Sequence, residues 1–439
     1  MTEFWILRKV LCYYAFTMLD IKFIRENPDL IKMAAAKKRI DFNVDDLIAC
    51  DQERLTLLAD VEKMRAEQNT VSDAIGRATD PNERQEKIAA MKTLKDTLGA
   101  KEDALKKCLN GWRELMLRVP NVPDVSVPEG ADDSGNVEVR KVGEPTHFDF
   151  TPKNHVDLML AHDMADFERG TKAAGFRGYF LKNDGALLFF ALGQYVLEHF
   201  MKKGGWTPMV VPSLVRREAF LGTGYLPQGE DDLYKTQDGD YLAGTGEVAS
   251  MAYFMDETLD ASQLPKKFLA ASPCFRREAG SHGKDTKGLI RVHEFFKYEQ
   301  VVLCEANHEI SVTLHEELTK NAEELLQGLG IPYHVVLNCG GDLGLGQVKK
   351  YDIEAWVPTE GKYRETHSSS YFHDFQSRRL NIRYRDSEGK LRFVHSLNNT
   401  ALASPRILVP LVENYQNADG TIRIPEVLQK YIGKDTIGR

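Results

Sequence analysis

The sequence predicts a chain of mixed α+β character: a two-helix antiparallel coiled-coil hairpin near the N-terminus, then a larger domain that holds an antiparallel strand pair. Three observations carry this. Two proline-free segments rich in helix formers, Asp45 to about Ile75 and Glu83–Met116, lie on either side of a short turn. Farther on, two strand-like runs, Phe268–Glu278 and Val292–Leu303, flank a polar, glycine-bearing stretch, Ala279–Arg291, which is the pattern of an antiparallel pair joined by a long loop. Finally, 439 residues suffice for two or three domains and a large core.

Composition narrows the class. With 42% apolar and 28% charged residues, the chain is of the ordinary globular kind. The six cysteines, Cys12, Cys50, Cys108, Cys274, Cys304 and Cys339, form no CxxC pair, which argues against a zinc site or a disulfide framework and fits a reducing compartment. A net charge of −8 does not advertise nucleic-acid binding, so any such partner must be held by local charge. The first seventeen residues are apolar and aromatic, but Arg8 and Lys9 interrupt them and no small-residue cleavage site follows. They are too short to span a bilayer, and two readings stay open: an appended helix, or a start placed too far upstream. No other stretch has transmembrane character, so the expectation is a cytoplasmic protein without a membrane partner.

The hairpin comes first. Positions 47, 50, 54, 57, 61, 64, 68, 71 and 75 are apolar in seven cases of nine, and so are Ile88, Met91, Lys95, Leu98, Glu102, Leu105, Leu109, Trp112 and Met116. Such three-four spacing on two helices joined at Gly76–Pro81 reads as an antiparallel coiled coil. At about 1.5 Å per residue it would project roughly 40–50 Å. Its arms differ in charge: Leu47–Ile75 carries three basic and six acidic residues, whereas Arg84–Lys107 carries seven basic against four acidic. A charged helix is ordinarily a solvated face. On an extended hairpin, Arg84, Lys87, Lys92, Lys95 and Lys101 could also track a phosphate backbone.

Pro120-Asn121-Val122-Pro123 and the acidic tract to Gly143 read as a linker. Helical patterns follow from His155 and over Ala186–Lys203, the latter apolar nearly all round and hence expected buried. A short strand, 207–211, leads to Pro212. In the central stretch, strand alternation puts Arg276 and Glu278 on one face with Arg277 on the other, and groups Phe295, Lys297 and Glu299. If the two faces coincide, a guanidinium, carboxylates and an aromatic ring meet on one floor, suited to a phosphate and a nucleobase. A solvent-facing salt-bridge ladder is the other reading of the same spacing.

Here the residues resemble a known family. Phe275-Arg276-Arg277-Glu278, Gly280-Ser281, Asp285-Thr286, Gly288-Leu289-Ile290-Arg291 and His293-Glu294-Phe295 resemble motif 2 of class II aminoacyl-tRNA synthetases, in the wording of the seryl-tRNA synthetases. The resemblance runs from Met18 to near the end. Long helix, strand and Pro212 are similar to motif 1, the dimer element; Thr245-Gly246-Glu247 resembles the amino-acid loop; Glu365-Thr366-His367-Ser368 resembles the E-x-x-S segment; Asn398-Asn399-Thr400 with Arg406 resembles motif 3.

The resemblance implies a class II antiparallel sheet flanked by helices, ATP with Mg2+, and a homodimer formed around Pro212. It also implies an N-terminal arm over 18–122 for tRNA and a catalytic domain over 123–439, with 1–17 an extension. Arg276 would take the α-phosphate and the serine carboxylate, Glu278 the adenine side, Phe295 the adenine face and Arg406 the far phosphates. Arg277, Arg291, Val292, Thr366 and His367 would complete the ATP site, with Glu365 and Ser368 on the metal. Thr245, Gly246, Glu247, Glu299, Asn398 and Thr400 would form the serine pocket. The expected reaction joins serine to tRNA(Ser), and to tRNA(Sec) where present, through a seryl-adenylate. A synthetase paralogue loading a non-tRNA acceptor is the alternative, and the retained arm speaks against it.

The sequence departs from the family pattern at Ser368-Ser369-Ser370-Tyr371, at Thr400 where many members carry serine, and at Ala401, Ala403 and Pro405 in a usually glycine-rich motif 3. None removes a charged group. Two decoys fall away: residues 340–346 lack a phosphate-loop register and read as a plain loop, and His293-Glu294 does not continue as HExxH, so no zinc is expected.

Overall fold

The computed structural model describes residues 19–280, 283 and 285–438; the expected extension 1–17 and Ser281 of the long loop lie outside them. The described residues form two compact units, Leu19–Ala36 with Ile40–Pro120, and Lys37–Arg39 with residues 121–438.

The smaller unit begins with two short helices, α1 (Ile21–Glu26) and α2 (Pro28–Lys37), and continues as a hairpin of α3 (Val44–Arg77) and α4 (Pro81–Leu117). Asn43 caps α3 by accepting from the Asp45 N–H, and Asp80 caps α4 from Asn82 with Pro81 in its first turn. Helix α3 runs through Gly76, so the turn is shorter than the expected Gly76–Pro81. One exposed glycine costs a helix only about 1 kcal/mol. All nine predicted seam positions of α3 are at least partly buried.

On α4 the seam departs from the strict template: Ile88 is 50% exposed and Lys95 faces solvent, while Met91, Leu94 and Leu98 turn inward. From Met91 a three-four step reaches the apolar Leu94 where a four-three step would insert Lys95. Lys101 pairs with Asp60 and Arg65 with Glu102, both at 2.7 Å across the hairpin, and Lys87 pairs with Glu83 along α4. Arg84, Lys92 and Lys95 are exposed and make no ion pair among the described residues.

The larger unit is organised on an eight-stranded sheet: β1 (Val137–Val142), β2 (Thr207–Val210), β3 (Lys266–Phe275), β4 (Glu294–Cys304), β5 (Tyr333–Leu337), β6 (Lys349–Val357), β7 (Lys362–His373) and β8 (His395–Ser404). Spatial order is β1-β5-β6-β7-β8-β4-β3-β2, antiparallel throughout except for β2 beside β3. The tract read as a linker to Gly143 therefore contains an edge strand. Residues 137–140 do alternate, but their acidic, glycine-bearing flank masked the signal.

The helix His308–Gly328 lies against β7 and β8, and its Leu318 carbonyl accepts from Asn399 (2.7 Å) and Gln300 (3.1 Å). Alternation then turns Glu299, Asn398 and Thr400 to the opposite face. The helix Asn183–Lys203 buries Leu188, Leu192, Val196 and Phe200 but not its whole circumference: Phe190 is 63% exposed, and Leu187 and Met201 are also open. The expectation of complete burial was wrong for that face.

Candidate active site

On the face of the sheet away from the His308–Gly328 helix lies a cavity of about 380 Å³. Its floor is β4, β7 and β8, with β3 beside β4 in the register Phe275↔Glu294 to Lys266↔Leu303. Strand β3 ends at Phe275, so Arg276 and Glu278 lie past the ladder and alternation does not place them. Glu278 has φ +55°, a left-handed conformation that is uncommon for a non-glycine residue and collects at functional sites. That kink lets both side chains reach the cavity, while Arg277 turns out to the Asp231 carbonyl at 3.0 Å.

At one end, Arg276 stands 5.3 Å from the centre of the Phe295 ring. Its bonds to the Gly244 carbonyl, 3.3 and 3.4 Å, are long, which leaves the planar fork largely uncommitted. Glu278 is held by Arg291 at 2.6 Å. Arg406 donates to the carbonyls of Ile290 (2.8 Å) and Glu365 (2.9 Å). Partial desolvation acts to raise the Glu365 carboxyl, whose side chain is 48% exposed, but Arg406, Lys350, Arg276 and Arg291 outweigh it and hold the group below its usual range.

At the other end, two buried carboxylates share the space. Glu247 accepts from Tyr225 (2.9 Å) and Gln376 (2.6 Å), and Gln376 is itself fixed by Ser396. Glu299 lies 2.5 Å from Lys297, and the Thr400 hydroxyl points at it from 3.5 Å. Burial pushes both carboxyls up, and Glu299 raises Glu247 further. A cationic ligand placed between them would relieve both costs. Thr245 and Asn398 complete this wall.

The cavity thus brings together Thr245, Glu247, Arg276, Glu278, Val292, Phe295, Glu299, Glu365, Thr366, Ser368, Asn398, Thr400 and Arg406. It does not gather every expected residue. Gly246 packs onto the strand beneath, where a Cβ would sit 3.3 Å from Ala270 and Ser272. His367 is buried behind the cavity, with Nε2 3.1 Å from the Ala401 carbonyl. Arg291 lines a shallow adjoining cleft.

The sequence reading grouped Lys297 with Phe295 and Glu299 but gave it no role, and it gave no part in the site to Tyr225, to residues 344–347, or to Gln376, which supports Glu247. Those segments lie far apart in the chain, and no local pattern links them.

Comparison with known proteins fits this geometry. The model of the tRNA synthetase class II core domain (G, H, P, S and T) matches residues 233–415, and that of the seryl-tRNA synthetase N-terminal domain matches residues 18–123. A serine--tRNA ligase of Deinococcus radiodurans is 47% identical over 96% of this chain and 99% of its own. The chain belongs to the seryl-tRNA synthetase family.

A second relative, the serine--tRNA ligase of Thermodesulfovibrio yellowstonii, is 44% identical over 96% of this chain and all of its own. The crystal structure of seryl-tRNA synthetase from Pyrococcus horikoshii complexed with ATP superposes with a TM-score of 0.88, at 40% identity, covering 96% of this chain and 99% of that one. Against the seryl-tRNA synthetase pattern, the departures now have places. Tyr371 is buried away from the cavity and donates to Asp124 at 2.9 Å. Ala403 and Pro405 line the cavity beside Arg406, and Thr400 keeps its hydroxyl toward Glu299.

Proposed function

We propose that the chain activates serine with ATP and transfers it to tRNA(Ser), and to tRNA(Sec) where a cell has one. The observation that carries this reading is a single cavity with two unlike ends, one presenting Arg276, Phe295 and Arg406, the other Glu247, Glu299, Thr245 and Thr400. An ammonium and a hydroxyl suit the acidic end, and phosphates and a purine suit the basic, aromatic end. The serine carboxylate attacks the α-phosphorus in line and pyrophosphate leaves. A ribose hydroxyl of the tRNA's terminal adenosine then attacks the seryl carbonyl and AMP leaves. No protein nucleophile is required, so the side chains act by positioning and by stabilising charge.

Arg276 bridges the α-phosphate and the serine carboxylate, Phe295 stacks on adenine, Glu278 takes its polar edge with Val292 alongside, and Arg406 meets the terminal phosphates. Glu247 and Thr245 receive the serine ammonium; Glu299 and Thr400 read the hydroxyl, with Asn398 beside them. Glu365 and Ser368 would hold Mg2+, whose preference for oxygen donors a carboxylate and a hydroxyl suit, and the ion would offset phosphate charge.

The hairpin carries tRNA through exposed Arg84, Lys92 and Lys95, with Lys87 and Lys101 available once their ion pairs open. A homodimer forms across the motif 1 region, where Phe190 and Val210 leave apolar surface open, Val210 at 90% exposure. No helix among the described residues is long and apolar enough to cross a membrane, and the proposed site of action is the cytoplasm. The test is ATP–pyrophosphate exchange with each of the twenty amino acids, followed by transfer to total tRNA. Serine alone should give strong exchange and charge tRNA; exchange without serine dependence would overturn the reading.

A further inference from the structure

Residues 344–347 form one wall of the cavity without belonging to a helix or strand, and two of the four are glycines. Such a segment keeps a shape only if its backbone is tied down. Its carbonyls show how. Lys38 is 3% exposed, and its ammonium donates to the carbonyls of Gly344 (3.1 Å), Leu345 (2.9 Å) and Gln347 (2.6 Å). Three acceptors match three ammonium protons, and no carboxylate pairs with Lys38 among the described residues.

Asn121 supplies the fourth tie: its side chain donates to the Gly346 carbonyl at 2.9 Å and its backbone N–H to that of Leu345. Each of the four carbonyls thus accepts from Lys38 or Asn121. Gln347 then holds the Ser370 hydroxyl at 2.8 Å, and Ser370 sits opposite Asn398 in the β7–β8 register, at the acidic end of the cavity.

We propose that Lys38 is a positioning residue for the amino-acid end of the site, setting the wall formed by residues 344–347. The inference rests on the serine-activating function proposed above. Burial holds the Lys38 ammonium well below its ordinary pKa, a cost the chain bears for a charge that meets only backbone carbonyls. A buried lysine that merely filled space could be methionine, of similar length and with no charge to desolvate.

The experiment compares wild type, Lys38→Met and Lys38→Arg in serine-dependent pyrophosphate exchange, with hydrogen exchange of the 343–348 backbone read by mass spectrometry. Methionine leaves the Gln347 carbonyl without its donor and takes one of two donors from each of Gly344 and Leu345, and arginine keeps the charge on a planar head that cannot meet three converging acceptors. The expected result is a KM for serine raised about tenfold in Lys38→Met and less in Lys38→Arg. The KM for ATP should stay within about twofold, and amide exchange at 343–348 should be faster in both variants. Unchanged KM for serine overturns the proposal. So does a loss in which both KM values and kcat move together, or failure of both variants to fold, because either marks a general structural role. If wild type shows no serine-dependent exchange, it is the function reading that fails, while the hydrogen-exchange arm still reads the tie.

Discussion

Lowering pH should unfold the larger unit through histidines buried in the neutral form, and His315 shows the size of the effect. Its ring is 1% exposed, stacks on Tyr351 at 5.0 Å and 3°, and places Nε2 3.0 Å from the Ser369 carbonyl. Burial lowers its pKa from 6.5 to about 4. The unfolded chain takes up a proton on this residue below pH 6.5 and the folded chain does not until about pH 4. Stability is therefore flat above pH 6.5 and falls by about 1.4 kcal/mol per pH unit through that window. At pH 5 the gap of 1.5 units is worth about 2 kcal/mol. His367, also lowered to about 4 by burial, adds a similar amount. Asp352, raised by burial to about 7, acts in the opposite sense, so the wild-type curve alone is a sum.

The difference between wild type and His315→Gln isolates one residue. Glutamine keeps a donor for Ser369 and loses the stacked ring, so urea unfolding at pH 7.5 should show the variant less stable. At pH 5.0 that deficit should shrink by about 2 kcal/mol, or reverse. A deficit equal at both pH values to within about 0.5 kcal/mol would refute the assignment of a neutral, buried His315.

Other outcomes follow from the site. Arg276→Lys keeps the charge but loses the fork, and should lower the rate of serine-dependent exchange by on the order of a hundredfold with the circular dichroism spectrum intact. Against serine, threonine should be refused by shape by about 10–200-fold, and alanine should exchange weakly because it leaves Glu299 and Thr400 unpaired; equal exchange with serine and alanine would sink the pocket assignment. Replacing α3 and α4 by a short glycine-serine linker should leave exchange largely unchanged and sharply reduce tRNA charging. Arg84, Lys92 and Lys95 changed together to glutamate should weaken tRNA binding and flatten its salt dependence; full charging by the armless chain would refute the role of the hairpin.

Much of this fold was legible because its signals are local. The hairpin follows from apolar spacing over 47–75 and 88–116, and only the phase at Leu94 was misread, since a template of fixed steps cannot weigh a leucine against the next lysine. The β3–β4 pair follows from composition and from the polar loop between. The edge strand Val137–Val142 was missed because six residues beside acidic, glycine-bearing sequence look like linker until a partner strand fixes them. The same holds for the supports of Glu247: Tyr225 and Gln376 lie 22 and 129 residues away, and nothing in either neighbourhood announces a carboxylate partner.

The site residues themselves pose a harder problem, because their spacing contradicts simple alternation. Glu365 and Ser368 are three apart, so on a regular strand they would face opposite sides. In the β6–β7 pair Ile353 lies opposite His367 and Glu354 opposite Glu365, so Thr366 is an extra residue on β7. That bulge turns Glu365 to the face that Ser368 already occupies. Strand β8 does the same: Tyr298 pairs with Leu402 and Glu299 with Thr400, leaving Ala401 as the extra residue. Asn398 and Thr400 before it, and Ala403 after it, then all reach one cavity. His367 joins the two irregularities, its Nε2 set against the carbonyl of Ala401 at 3.1 Å. Expected on ATP and found behind the cavity, this histidine is better understood as fixing where both strands slip. A bulge belongs to the pairing of two strands and not to either sequence, so the residues of the E-x-x-S segment could be recognised while the reason they converge could not.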